Sequence, residues 1–289
     1  MHSARIWLVT GSSSGFGLAM CKLALAKGDK VIATLRRPSD LDELSSQYPP
    51  DVLLVLKVDV THTEDVISAF RIAKERFGRV DVVFNNAASF IVGEVEGVPD
   101  AEARRVMEVV FWGATTVSKE AVRFFREENP PGAGGLLLNI SSDGGHSSFP
   151  AVGYYIAAKH ALEGLTETFA RELDPGWNIK ICLITPGVFR TEIKSKSPSV
   201  PVHAAYEHVG SVQQSRKFLD MYWDPSKPVR VGDVEKAVGK IYELSLLERP
   251  PMRLFLGKDC LERVGQQLQQ VGEDLRSSAP WSQDLLEDE

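Results

Sequence analysis

The chain has 289 residues, 43% hydrophobic and 25% charged, a composition that excludes a disordered or fibrous protein. Its 33 Lys and Arg against 39 Asp and Glu leave a formal charge of −6, so the basic surplus expected of a nucleic-acid partner is missing. Cys21, Cys182 and Cys260 are far apart and lack CxxC spacing, which argues against a zinc site or a disulfide framework and for a reducing, cytoplasmic setting.

Along the chain, a short apolar run rich in β-branched residues is repeatedly followed by a turn and a longer amphipathic stretch. The first run, 6–10, starts too early to follow a signal peptide, and no apolar run approaches the ~20 residues that span a bilayer. Further strands are predicted at 30–35, 52–58, 80–85, 135–140 and 179–184, with a seventh at 253–256. Most are apolar throughout, as in a parallel sheet buried on both faces. Helices are predicted at 16–27, 63–77, 101–127 and 155–173, with Gly28 and Gly78 as C-caps.

This alternation predicts an α/β fold, a doubly wound parallel sheet with ligand beyond the carboxyl ends of its strands. The stretch 185–231 breaks the pattern. It is rich in proline and serine, carries Tyr206, His208, Phe218, Tyr222 and Trp223, and reads as a substrate-binding insertion or a surface excursion. A terminal helix is expected after 257, then an acidic tail over 285–289 that should fray. With no internal repeat and no linker, 1–289 reads as one domain.

Strand one runs into Thr10-Gly11-Ser12-Ser13-Ser14-Gly15-Phe16-Gly17 and then a helix. Glycines there allow a tight turn and a close backbone approach to a diphosphate, which the helix N-terminus favours. Further on, Tyr155 and Lys159 stand four apart on one helix face. An ammonium beside a phenol favours the phenolate, so Tyr155 is expected to have a lowered pKa and to act as general acid or base. Tyr154 is the rival, but four residues after it comes the uncharged Ala158.

Other segments complete a pattern: Asp59-Val60, Asn85-Asn86-Ala87, Asn139-Ile140-Ser141-Ser142 and Pro186-Gly187-Val188-Phe189-Arg190-Thr191. In this order, with the glycine turn and Tyr155-Ile156-Ala157-Ala158-Lys159, they resemble the short-chain dehydrogenase/reductase family over residues 5–257. The resemblance implies a Rossmann-like doubly wound parallel seven-stranded sheet with helices on both faces, in a single domain.

It also implies hydride transfer between a nicotinamide cofactor and a ketone, aldehyde or secondary alcohol. Ser142, 13 residues before Tyr155, matches the family's catalytic serine, with Ser141 the neighbour that competes for the role. Lys159 would also bond the nicotinamide ribose. The cofactor would be held by Gly11, Ser13, Ser14, Gly15, Phe16, Gly17, Arg36, Asp59, Val60, Asn86, Ala87, Tyr155, Lys159, Pro186, Gly187, Val188 and Thr191. Arg36 ends strand two where NAD-preferring folds place an acid, and no acid follows it until Asp40, so NADP(H) is expected over NAD(H). No metal is implied.

Two positions depart from the family pattern. Ala88 stands where Asn-Asn-Ala-Gly has glycine, which a negative φ would tolerate. Val110 stands where the family has an asparagine supporting a water relay to the lysine, and valine cannot hydrogen-bond through its side chain. Replacing Val110 by Asn is expected to raise turnover. The departure sustains an alternative, a catalytically weak NADP(H)-binding sensor or scaffold protein.

The substrate is expected to be a small hydrophobic carbonyl or alcohol, as in the hydroxysteroid and retinol dehydrogenases the motifs also resemble. His146, Phe149, Tyr154, Phe189 and residues 90–93 are candidate pocket walls. Family members commonly pair through the helices after strands four and five, so a homodimer is expected, with Phe111, Trp112, Val117 and Leu165 as a candidate apolar patch.

Overall fold

The computed structural model describes residues 4–193, 197–224, 226–227 and 229–285. Lys194, Ser195, Lys196 and the tail residues 286–289 lie outside the described residues, as does the Trp223 side chain.

Seven strands form one parallel sheet: β1 (Ile6–Thr10), β2 (Lys30–Leu35), β3 (Leu53–Lys57), β4 (Val82–Asn85), β5 (Gly135–Ile140), β6 (Ile179–Pro186) and β7 (Arg253–Leu256). Their order, β3-β2-β1-β4-β5-β6-β7, is that of a Rossmann-like fold. Val9 pairs with Ala33 on one side and Phe84 on the other, so β1 and β4 flank the point where the winding reverses. A crevice opens there beyond the strand ends.

The helices are α1 (Gly15–Ala26), the short α2 (Asp42–Ser45), α3 (Thr63–Phe77), α4 (Asp100–Met107), α5 (Ala114–Glu127), α6 (Gly153–Glu172), α7 (Gly210–Trp223), α8 (Val234–Leu244) and α9 (Lys258–Ser278). On one face of the sheet, Met20 and Ala24 of α1 pack with Val238 and Ile241 of α8 against Trp7, Val9 and Phe84. On the other, Phe70 of α3 and Phe124 and Phe125 of α5 pack against Leu8, Val83 and Leu137. Strands apolar along their whole length serve both layers at once, which is why they do not alternate.

Some assignments differ from the sequence reading. The single helix expected over 101–127 is α4 and α5 joined by a π-helical turn, Glu108–Gly113. A Cβ on Gly113 would stand 2.8 Å from Val60, so this turn lies closely on the chain after β3. Strand β6 continues to Pro186, so the insertion begins after that residue. Val117, a candidate for a dimer patch, is instead buried in the core with Val122 and Phe124. Trp112 remains 53% exposed.

A buried polar ladder ties the sheet to the helices that carry the site. Asn85 and Asn139 sit opposite each other on β4 and β5, and Asn85 Nδ2 donates to Asn139 Oδ1 at 2.9 Å and to Ala114 O at 2.9 Å. Asn139 Nδ2 in turn donates to Thr166 Oγ1 of α6 at 3.0 Å. Buried amides persist only when paired in this way.

Candidate active site

The turn after β1 is held open by its glycines. Gly11 has φ +68° and Gly15 φ +53°, and a Cβ on Gly11 would come within 2.9 Å of Ala87 Cα. Thr10 Oγ1 accepts the Asn86 and Ala87 amides at 2.9 and 3.0 Å, stapling the ends of β1 and β4. Ser12 is structural, its hydroxyl donating to Val9 O at 2.9 Å. Ser14, the N-cap of α1, makes no side-chain capping bond, so its hydroxyl and the first-turn amides are disposed toward an anion.

A cleft of about 470 Å³ runs from this turn across the strand ends. Gly11, Ser13, Ser14, Gly15 and Phe16 line it, with Arg36, Asp59 and Val60 at one end and Asn86 and Ala87 between. Ser142, Tyr155, Lys159, Pro186, Gly187, Val188 and Thr191 line the other end. Of the residues expected to hold cofactor, Gly17 stays out of the cleft. A Cβ there would collide with Gly11 O and stand 2.8 Å from Asn86 Nδ2, so Gly17 lets α1 pack beneath the turn.

Ala88 lines the cleft in ordinary backbone, since positive φ outside glycine occurs among the described residues at Ala151, Asn178 and Asp284.

At the end of β2, Arg37 is turned toward Asp40, 3.3 Å away, while Arg36 faces the cleft. Asp59 Oδ1 accepts the Thr61 amide at 3.0 Å and the Thr61 hydroxyl at 2.8 Å. Burial works to raise the Asp59 carboxyl. The Thr61 bonds and the charges of His62 and Arg36 outweigh it and hold the carboxyl below its usual range.

At the other end, α6 presents Tyr155 and Lys159 one turn apart. Lys159 Nζ lies 5.6 Å from the centre of the Tyr155 ring and donates to Ile140 O at 2.6 Å. The Tyr155 ring packs edge-on against Phe90 at 4.9 Å. The lowered phenol pKa expected from the lysine is not what this geometry produces. Burial raises Tyr155 well above the usual phenol value, Asp143 adds to the rise, and a hydrogen bond with Ser142 only partly offsets them. Burial also lowers Lys159 to about 8, against the pull of Glu163 one turn further along. Both groups are therefore driven toward their neutral forms.

Ser142 faces the Tyr155 phenol, whereas Ser141 is buried, its hydroxyl close to Gly145 and Glu163. Among the candidate walls, Phe149 and Phe189 line the cleft, as does Phe90, joined by Val152, Ile156, Ile193, Phe218 and Leu219. Tyr154 is outside it, its hydroxyl donating to Val95 O at 3.2 Å. His146 packs on Phe255 and approaches Glu163 at 3.4 Å, also outside. Of the insertion's aromatic residues whose side chains are described, Phe189 and Phe218 reach the cleft.

Sequence reading missed two ion-paired groups. Asp143, beside Ser142, meets Arg263 of α9, which lies 120 residues away. Glu94, in the loop after β4, meets Arg216 of α7. Only the position of Asp143 next to the serine was a usable signal.

The sequence profile of the short chain dehydrogenase family matches residues 5–200, and this chain belongs to that family of oxidoreductases. An uncharacterized oxidoreductase of Schizosaccharomyces pombe, C162.03, is 40% identical across 98% of this chain and 92% of its own length. The crystal structure of a short-chain dehydrogenase from Streptomyces avermitilis superposes with a TM-score of 0.84 at 34% identity, covering 98% of both chains.

Two more distant structures share the fold. One, from Burkholderia phymatum, is a complex with NAD (TM-score 0.78, 21% identity, 94% of this chain and 95% of that one). The other, from Burkholderia cenocepacia, is a complex with NADP (TM-score 0.69, 22% identity, 95% and 97%). Among the described residues, no helix is long and apolar enough to cross a membrane and no cluster could hold a metal ion.

Proposed function

We propose that this chain is an NADP(H)-dependent oxidoreductase that interconverts a hydrophobic ketone or aldehyde and the corresponding alcohol, with Tyr155 as the acid/base group. The observation that carries the reading is the single cleft joining Arg36 and the glycine turn to Ser142, Tyr155 and Lys159. A guanidinium at the end of β2 suits a 2′-phosphate through charge-assisted bonds. The turn amides and Ser13 and Ser14 suit the diphosphate, and Lys159 suits the nicotinamide ribose.

When bound, the nicotinamide supplies or accepts the hydride. Ser142 orients the substrate oxygen, and Tyr155 gives it a proton in reduction or takes one in oxidation. Its raised pKa keeps the phenol protonated at neutral pH in the cofactor-free protein, the form required for reduction. Phe90, Phe149, Phe218 and Leu219 exclude water and receive an apolar substrate. The insertion after β6 supplies Phe218 and Leu219 to that wall. The three buried free thiols suit a reducing, cytoplasmic setting. The exposed Trp112 beside α5 suits a homodimer.

The test is a titration with NADPH and NADH followed by nicotinamide fluorescence, with Arg36→Ala in parallel, then an apolar carbonyl panel with Tyr155→Phe. Tight NADPH binding, weakened about tenfold or more in Arg36→Ala with little change for NADH, is expected. Turnover should vanish in Tyr155→Phe. Stronger NADH binding would overturn the cofactor assignment. NADPH binding with no turnover on any carbonyl would favour a sensor or scaffold, the reading that the apolar Val110 supports.

A further inference from the structure

The turn after β5 and the terminal helix α9 meet through charges that the proposed reaction does not itself require. Asp143 Oδ1 accepts the Ser142 hydroxyl at 3.0 Å and the Gly144 amide at 2.9 Å. Its other oxygen accepts Arg263 Nε at 2.7 Å and also Nη2. The same Nη2 donates to Asp259 Oδ2 at 2.6 Å, and that oxygen accepts the Val188 amide at 2.8 Å. The guanidinium stands 5.5 Å from the centre of the Phe149 ring. One arginine, 21% exposed, thus bridges the serine turn and the loop after β6.

We infer that Asp143, clamped by Arg263 and Asp259, is the positioning residue that fixes the Ser142 hydroxyl and registers it against the Pro186–Val188 loop, making α9 part of the active site. This inference rests on the oxidoreductase reading above. The physical reason is geometric. A serine hydroxyl on a free turn samples three rotamers, and its single proton can point anywhere on a cone. A carboxylate bonded to that hydroxyl selects one serine rotamer, from which the proton can turn to a substrate oxygen, and a planar guanidinium bonded to two carboxylates holds the carboxylate still. Because Asp259 also takes the Val188 amide, a shift of α9 would move the serine and the nicotinamide-side loop together.

The charged groups facing the Tyr155 phenol are Lys159 on its own helix, Asp143 on the serine turn and, behind Asp143, Arg263 on α9. Removing the Asp143 charge therefore has an electrical consequence as well as a geometric one. A negative charge nearby favours the neutral phenol, so its loss lets the phenol ionise at lower pH.

The experiment compares Asp143→Asn and Arg263→Lys with the parent full-length chain in NADPH binding, kcat, KM and the pH profile of ketone reduction. Asp143→Asn is expected to lower kcat about tenfold or more, with KM and the NADPH Kd within about twofold, as for a displaced catalytic group. Its alkaline limb, which reports the proton donor, should move to lower pH. Arg263→Lys keeps the positive charge but not the bridge, so kcat should fall while the limb stays nearer its parent position; this variant reads the clamp if Asp143→Asn does not fold. Unchanged kcat and an unmoved limb in folded variants of an active parent overturn the clamp alone. A parent that binds neither nucleotide overturns the oxidoreductase reading beneath it.

Discussion

Glu94 and Arg216 are joined by two charge-assisted hydrogen bonds, 2.7 and 2.9 Å long, across 122 residues of chain. Glu94 is buried in the loop after β4, and Arg216 projects from α7 of the insertion. The pair thereby pins the insertion helix to the loop after β4, on the side where Phe218 and Leu219 of the same helix reach the cleft. Arg216 also donates to Val200 O at 3.0 Å, and Glu94 accepts the His203 amide at 3.1 Å, so the segment before α7 is tied to the same pair.

Replacing Glu94 by Gln should cost about 3 kcal/mol, because it leaves a largely buried guanidinium without its counter-charge. The bond to Arg216 holds the Glu94 carboxyl at about 2, below its value in an unfolded chain. A depressed carboxylate contributes stability that is present above about pH 4.5 and is lost as pH falls toward 2. Thermal melts from pH 6 to pH 3 should therefore fall more steeply for the parent than for Glu94→Gln. Parallel slopes would show that the pair contributes nothing in acid.

Val110 departs from the family's asparagine, and its surroundings argue against the expectation that restoring it would help. Its side chain is fully buried in a cluster with Ile91, Val98, Val106 and Ala158. A carboxamide placed there meets apolar atoms and should cost about 1–3 kcal/mol if it finds no partner. Val110→Asn is thus expected to lower the melting temperature and not to raise turnover. Unchanged stability with faster reduction would restore the relay expectation.

Lys159 is a base whose folded value, about 8, lies below its unfolded one. The folded state therefore carries a penalty for its charge that is complete below pH 8 and fades as pH rises toward 10. In that window the unfolded chain holds more protons, so this lysine makes stability increase with pH. Lys159→Met should remove that part of the slope while abolishing turnover. Equal slopes from pH 7.5 to pH 9.5 in cofactor-free parent and variant would refute the burial effect.

Asn139 does not itself line the cleft but connects β5 with α6 through Thr166, and β5 with β4 through Asn85. Asn139→Ala should destabilise the fold by about 1–3 kcal/mol, since it strands buried partners on both sides. Because α6 carries Tyr155 and Lys159, kcat should drop more than NADPH affinity. Urea unfolding and steady-state kinetics on the same preparation check both statements, and a loss confined to cofactor binding would contradict the second.

The strands, the glycine turn and the helix presenting Tyr155 and Lys159 were legible because each is written in neighbouring residues. Apolar runs flanked by turns mark buried parallel strands, and a spacing of four places two side chains on one helix face. Ser142 was legible only as a family match, and the long helix over 101–127 concealed its π-helical turn, which leaves no mark in an amphipathic pattern. Gly17 looked like a site residue and Asn139 like part of a family motif, while their work is packing and bonding within the scaffold.

By itself the sequence determined the alternation of strands and helices along the chain, the cleft beyond the strand ends and the shared helix face of Tyr155 and Lys159. The tertiary structure alone decided that Arg263 answers Asp143 and Arg216 answers Glu94, that Val117 turns inward, and that Tyr155 is raised instead of lowered. The division has one cause. Periodicity and local turn geometry depend on residues within a few positions, whereas desolvation and ion pairing depend on every element packed around a group, however distant in the chain.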